Sequence, residues 1–233
     1  MEKWIYFDSD KITDIVYLSI ALDCSKEKYN IVRTTTTTQF LLQHPNVKEV
    51  GFPKPEDNVL TITRCNNEST IYNVNYILDI IGEARINSIP DFHLHVKTEH
   101  PLIIERVNKE KYALLMLSEC NCEQPVDLFF IDDLCHLLQV KGIKIASLGD
   151  FSIPCIRGTA DLRNLLCRPE LSEAIRHSPF VITNQKEIAE FCRVTNTSAY
   201  YIEQRESGFL CNTIEIQTPN HLLNLILKQY LNE

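Results

Sequence analysis

The chain opens on a short apolar run, Trp4-Ile5-Tyr6-Phe7, that stops at the polar Asp8-Ser9-Asp10. An apolar run ending in polar residues is the pattern of a strand buried on both faces of a parallel sheet. Ile15, Leu18 and Leu22 then recur at helical spacing. Thr13 is placed to cap this helix, and Asp14 lies in its first turn, where a negative charge suits the helix dipole. Residues 28–33 predict a second strand that opens into the five threonines 34–38, read as extended because threonine favours strands. Residues 39–43 predict a short helix broken by His44-Pro45-Asn46. Residues 47–52, 58–63 and 69–72 read as further strands. Residues 75–82 read as a helix with Gly82 as its stop.

From residue 87 to 108 the pattern loosens, and Pro90 and Pro101 punctuate it; this stretch reads as a link between two halves. Strand–helix alternation then restarts. Residues 112–117 predict a strand and 126–139 an amphipathic helix. Lys141-Gly142 is a turn, and residues 143–148 are a strand ending at Gly149-Asp150. Helices over 171–177 and 186–192 alternate with strands over 180–183 and 199–203, and a helix over 220–231 closes the chain. Alternation with short connections implies parallel sheets with right-handed crossovers. The expected fold is α/β, with two Rossmann-like doubly wound parallel-sheet halves facing across a cleft. The first half is placed at 1–92, the linker at 93–108, and the second half with its closing helix at 109–233. Ligands of such folds sit at the carboxyl ends of the strands.

Composition narrows the function. The net charge of −8 argues against non-specific nucleic-acid binding, which needs a basic field to displace counterions. No run reaches the roughly 18 apolar residues of a membrane helix, so no membrane span is expected. The start lacks the basic residues of a secretion signal and carries Glu2, Asp8 and Asp10. The nine cysteines are odd in number and scattered, which reads as reduced thiols in the cytoplasm. Cys120-Asn121-Cys122, with Cys135-His136 downstream, lacks the two-plus-two ligand spacing of zinc sites. His93 and His95 share a face of an extended segment without a third ligand in view and read as structural.

Residues 3–18, with the apolar strand, the short loop and Thr13-Asp14 before an apolar helix, resemble the opening of the ADP-heptose lipopolysaccharide heptosyltransferases, which are GT-B glycosyltransferases. Thr13-Asp14 stands where that family has Gly-Asp. Residues 39–50, with His44-Pro45-Asn46-Val47-Lys48-Glu49-Val50, resemble the family's entry to its third strand. Residues 76–90, with Ile80-Ile81-Gly82, and then 143–149 and 171–184 follow in the family's order. The resemblance is to a divergent, shortened member. It implies a glycosyltransferase that moves a sugar from a nucleotide-sugar donor to an acceptor hydroxyl, with no cofactor and no metal. Asp14 would be the base that takes the acceptor's proton. The donor would lie near Ser118, Gly149, Thr183, Asn184, Lys186 and Glu187. The acceptor would lie near Asp10, Lys11, Thr13 and Thr36, the threonine run lending hydroxyls to the cleft.

Two motifs of the family are replaced. The lysine that the family carries after the first strand of the second half is missing from residues 118–123, where Glu119 and Glu123 stand. The family's Asp-Ser-Gly-x-x-His turn is replaced by Asn184-Gln185-Lys186-Glu187, with Glu187 near the histidine's place and Lys186 as a replacement charge. Two other readings follow. One is a catalytically inactive GT-B relic that binds a nucleotide or a protein. The other is a metal-dependent phosphatase of the haloacid-dehalogenase type, from Asp8-Ser9-Asp10 after a strand and the later Gly149-Asp150. The phosphatase reading lacks the Gly-Thr-like turn and a second late acid. For Asp14 itself, the plainer reading is a charge at a helix start.

Overall fold

The computed structural model of the chain describes residues 2–9, 11–65, 67, 69–90, 100–119, 127–149, 152–205, 208–212 and 214–230. Trp4, Ile5 and Phe7 are buried in β1 (Lys3–Asp8), which runs parallel to β2 (Tyr29–Val32) on one side and to β4 (Asn58–Thr63) on the other. β3 (Val47–Gly51) extends the sheet beyond β2, giving the all-parallel order β3-β2-β1-β4. Three helices belong to this sheet: α1 (Ile12–Cys24), α2 (Thr35–Leu41) and α3 (Thr70–Ile81). Every residue of α1 from Ile12 to Leu22 is buried, so the helix is covered all round, and the polar Thr13, Asp14 and Ser19 are carried inside with it.

Where polar side chains meet helix starts, the fold departs from the pattern reading. Thr13 does not cap α1: the cap position is Lys11, without a side-chain cap bond, and Thr13 is buried in the first turn. The threonine run is helical rather than extended. Thr34 caps α2 in a reciprocal box with Thr37, whose hydroxyl receives the Thr34 N–H at 2.8 Å. Ser69 is likewise the cap of α3 rather than the start of a strand. A hydroxyl that satisfies an orphan N–H outweighs a modest strand propensity. Gly82 does end α3, at φ 82°, a conformation that glycine adopts without strain.

His44-Pro45-Asn46 closes the other end of α1. The Asn46 amide donates to the carbonyls of Leu22 at 2.7 Å and Ser25 at 3.2 Å. The Asn46 N–H donates to His44 Nδ1 at 3.1 Å, which leaves the proton of a neutral ring on Nε2, 3.2 Å from the Ser19 carbonyl and 3.2 Å from the Asp23 carboxylate. A break in the pattern is thus a tertiary cap on the buried helix.

The remaining elements form a second sheet. They are α4 (Pro101–Glu110), β5 (Ala113–Met116), α5 (Leu128–Val140), β6 (Ile145–Leu148), β7 (Ala160–Asp161), α6 (Arg168–His177), β8 (Val181–Thr183), α7 (Lys186–Val194), β9 (Ala199–Arg205), β10 (Gly208–Cys211), β11 (Ile214–Ile216) and α8 (Pro219–Tyr230). The order is β11-β10-β9-β8-β5-β6-β7; β7, β6, β5, β8 and β9 are parallel, and β10 and β11 add antiparallel hairpins. α8 packs on α5 and β11. Two separate parallel-sheet units result, spanning Met1–Thr98 and Glu99–Glu233. This is the two-sheet α/β architecture expected from the alternation.

α4 occupies part of the stretch read as an irregular link. Pro101 sits at the helix start, where its missing N–H costs nothing, rather than interrupting a coil. The start of α4 is tied down by Glu170, whose fully buried carboxylate receives the backbone N–H of His100 at 2.6 Å and of Cys167 at 3.0 Å. Burial alone would raise its pKa; these donors and the His100 side chain hold it at about 2.

The Asn46 cap makes the first prediction. Asn46→Ala should lower stability by about 1–3 kcal/mol, since the Ser25 carbonyl loses the Asn46 donor and the Leu22 carbonyl keeps only the Ser25 N–H. Urea unfolding reads this directly, and a loss below about 0.5 kcal/mol would show that the cap carries no weight.

Candidate functional site

β1 and β4 pair from Lys3↔Asn58 to Asp8↔Thr63, so the chain leaves both strands side by side at the carboxyl edge. Ser9 follows one strand, and Arg64 and Cys65 follow the other. Into this corner α1 carries Asp14, which is 1% exposed. The Ser9 hydroxyl donates to Asp14 Oδ2 at 2.6 Å, while Ser9 Oγ accepts the Lys11 N–H at 3.3 Å. Burial pushes the Asp14 carboxyl above its usual range; the Ser9 hydroxyl, the charges of Lys11 and Arg64 and the Cys65 backbone pull the other way and lose. The Cys65 thiol is pushed up to about 12 by its own burial and by the Asp14 charge. A carboxyl raised towards neutrality and fixed by hydrogen bonds is what a general base requires.

Of the acceptor-side residues, Lys11 and Thr13 flank Asp14, Lys11 partly exposed and Thr13 buried. Thr36 lies in the first turn of α2, and Asp10 lies outside the described residues. The hydroxyls of Thr34, Thr37 and Thr38 all bond within the start of α2, so helix capping accounts for them. Sequence reasoning missed Ser9, Arg64 and Cys65. The strand-end position of Ser9, just before an aspartate-bearing helix, was the available signal; the approach of Arg64 and Cys65 depends on strand order, which no local pattern encodes. Of the phosphatase motif, Asp8 is exposed at the end of β1, and Asp10 and Asp150 lie outside the described residues. Among the described residues no group of three His, Cys, Asp or Glu side chains is placed to hold a metal.

In the second unit, the pairing of β5 with β8, Met116 opposite Thr183, aligns two strand ends. Asn184 clamps them: its amide donates to the Ser118 carbonyl at 2.8 Å and accepts the Ser118 N–H at 2.9 Å. The Thr183 hydroxyl donates to the Met116 carbonyl at 2.7 Å and accepts the Gln185 N–H at 3.0 Å. Ser118, Thr183 and Asn184 are buried, and they shape the edge from within. Gly149, at the end of β6, has φ +104°, and its carbonyl accepts the Asn164 N–H at 2.8 Å. Its glycine character serves the backbone turn. Residues 120–126, with the Cys120-Asn121-Cys122 motif, lie outside the described residues.

Lys186 and Glu187 are exposed in the first turn of α7. α5 is closed at its start by the Asp127 carboxylate, which accepts the N–H groups of Phe129 at 2.9 Å and Phe130 at 3.2 Å. At α7 the cap residue Gln185 makes no such side-chain bond. A helix start without a side-chain cap, carrying an exposed lysine, suits an anionic group.

The raised pKa of Asp14 has a definite sign in stability. The folded chain binds the Asp14 proton more tightly than the unfolded chain, so ionisation of this group lowers stability as pH rises through its folded pKa, and below its usual value of 3.8 the effect is absent. Carbon-detected titration of the Asp14 carboxyl should place its midpoint above 3.8. A midpoint at or below that value would contradict a burial-dominated site.

No family model matches the sequence, and no curated protein matches it. Solved structures do match the fold. Escherichia coli heptosyltransferase WaaC with ADP-2-deoxy-2-fluoro heptose superposes with a TM-score of 0.67 at 9% identity, over 97% of this chain and 99% of that one. The glycosyl transferase family 9 protein from Veillonella parvula DSM 2008 gives 0.62 at 10% identity, over 100% and 98%. E. coli ADP-heptose lipopolysaccharide heptosyltransferase II gives 0.55 at 8% identity, over 100% and 99%. Likeness at such identity speaks for architecture and not for the roles of single residues. The chain has the two-sheet GT-B fold of the heptosyltransferases.

Proposed function

We propose that this chain transfers a sugar from a nucleotide-sugar donor to an acceptor hydroxyl, with Asp14 as the base. The observation that carries the reading is the Asp14 carboxyl itself: buried, raised in pKa and fixed by Ser9 and Cys65 at the carboxyl edge of the first sheet. As the acceptor oxygen attacks the anomeric carbon, its proton goes towards Asp14. The bond from that carbon to the donor phosphate breaks, and the electron pair leaves with the nucleoside diphosphate. Heptosyltransferase WaaC, whose fold this chain shares, was captured with ADP and with an ADP-sugar analogue, which supports a nucleoside-diphosphate sugar as the donor class.

On the donor side, Lys186 and the start of α7 would receive the diphosphate, beside Glu187. Ser118, Thr183, Asn184 and Gly149 would set the shape of the loops that hold it. With Glu119 exposed where the family has a lysine nearby, affinity for ADP-heptose itself should be weak. On the acceptor side, the partly exposed Lys11 at the cap of α1 would border the hydroxyl, with Thr13 buried behind it. The reaction so written needs no metal and no cofactor, and the scattered cysteines favour a reducing compartment such as the cytoplasm. Among the described residues no helix is long and apolar enough to cross a membrane.

Asp14→Asn tests the assignment. It should leave folding and nucleotide-sugar binding in place and slow transfer by about a hundredfold to ten-thousandfold, the usual cost of losing a positioned base. Turnover equal to wild type would remove Asp14 from the mechanism and return it to the role of a helix-start charge.

A further inference from the structure

A base must come within hydrogen-bonding reach of the proton it takes, yet Asp14 is 1% exposed and the adjoining Thr13 is 3% exposed. The start of α1 therefore offers an acceptor no open face of its own. Ser9 does: the residue is half-buried at the end of β1, and its hydroxyl donates to Asp14 Oδ2 at 2.6 Å. The hydrogen-bond directions around it are fixed. Ser9 Oγ accepts the Lys11 N–H, and its own proton points at the carboxylate. The backbone of Cys65 holds that carboxylate through a second hydrogen bond. Ser9 is thus a hydroxyl with a donor behind it and a proton acceptor in front of it, on a partly exposed residue at the carboxyl edge of the sheet.

We propose that Ser9 is a catalytic proton relay between the acceptor hydroxyl and Asp14. The inference rests on the reading of Asp14 as the base. In the step, the acceptor O–H gives its proton to Ser9 Oγ while Ser9 gives its own proton to Asp14 Oδ2. The acceptor oxygen forms its bond to the anomeric carbon, and the carbon–oxygen bond to the donor phosphate breaks, its electron pair leaving with the nucleoside diphosphate. Serine begins and ends as a neutral hydroxyl, and no alkoxide accumulates because the two protons move together. Asp14 ends protonated and returns its proton to water by the reverse path through Ser9.

The rival account is that Ser9 only holds the Asp14 rotamer. The two separate in the number of protons in flight. The measurement is the single-turnover rate of transfer to glycerol from ADP-heptose raised to saturation, so that weak donor binding does not limit the rate, followed in mixtures of light and heavy water, for wild type, Ser9→Ala, Ser9→Thr and Asp14→Asn. The relay predicts a bowed dependence on deuterium fraction in wild type. It also predicts a loss of about a hundredfold in Ser9→Ala with donor affinity unchanged, and recovery of most of the rate in Ser9→Thr, which keeps the hydroxyl. A straight-line dependence in wild type, or a Ser9→Ala rate within about threefold of wild type, would overturn the relay. If Asp14→Asn is slow while Ser9→Ala is fast, only the relay fails. If Asp14→Asn matches wild type, or wild type makes no product, the base assignment fails and the relay goes with it.

Discussion

The parallel pairing of β1 with β4 sets what the first unit can do. β1 lies between two parallel neighbours, and its register with β4 runs unbroken to the last residue of both strands. That register delivers Ser9 and the Arg64-Cys65 pair to one corner and forces the helix after β1 to start against them. Because α1 is covered all round, the carboxylate in its first turn enters an apolar setting, and the cost of its charge has to be met by donors at that corner. The Ser9 hydroxyl and the Cys65 backbone supply them, but incompletely, so the pKa stays raised. A buried carboxyl with a raised pKa follows from strand order and burial together.

The second unit meets the same requirement in a different way. Its strand ends are closed by Asn184 against Ser118 and by Thr183 against Met116, all inside the protein. Its helix starts are closed by Asp127 at α5 and by Glu170 at α6, where the side chain accepts the Cys167 N–H. α7 begins without a side-chain cap and with Lys186 exposed. A helix start without a side-chain cap and with an exposed lysine suits an anionic group.

Much of this fold is legible in the sequence because buried parallel strands are short, apolar and bounded by polar residues. β1, β2, β5, β6 and β8 all show that pattern, and Gly82 marks its helix end without ambiguity. The misreadings share a cause. Local preference reads Thr34, Ser69 and Pro101 as strand or coil residues, yet each is a helix-start residue whose role depends on which N–H groups need a partner. β7, β10 and β11 are short and, for β10 and β11, held by antiparallel pairing to β9, so no hydrophobic period announces them. The place of Asp14 in the first turn of a helix between an apolar strand and an apolar helix is legible in the sequence. Its partners were hidden because Cys65 and Arg64 are remote in sequence, and only the β1–β4 pairing brings them near.

Nucleotide-sugar recognition at the start of α7 is the claim on which the functional account turns. Calorimetric titration of the chain with a panel of nucleoside-diphosphate sugars, repeated with Lys186→Ala, tests it most directly. The account predicts saturable binding of at least one member and a loss of about tenfold or more on removing the lysine, the worth of one charge-assisted phosphate contact. Binding that is tight and indifferent to Lys186→Ala, or no binding by any member of the panel, would contradict it.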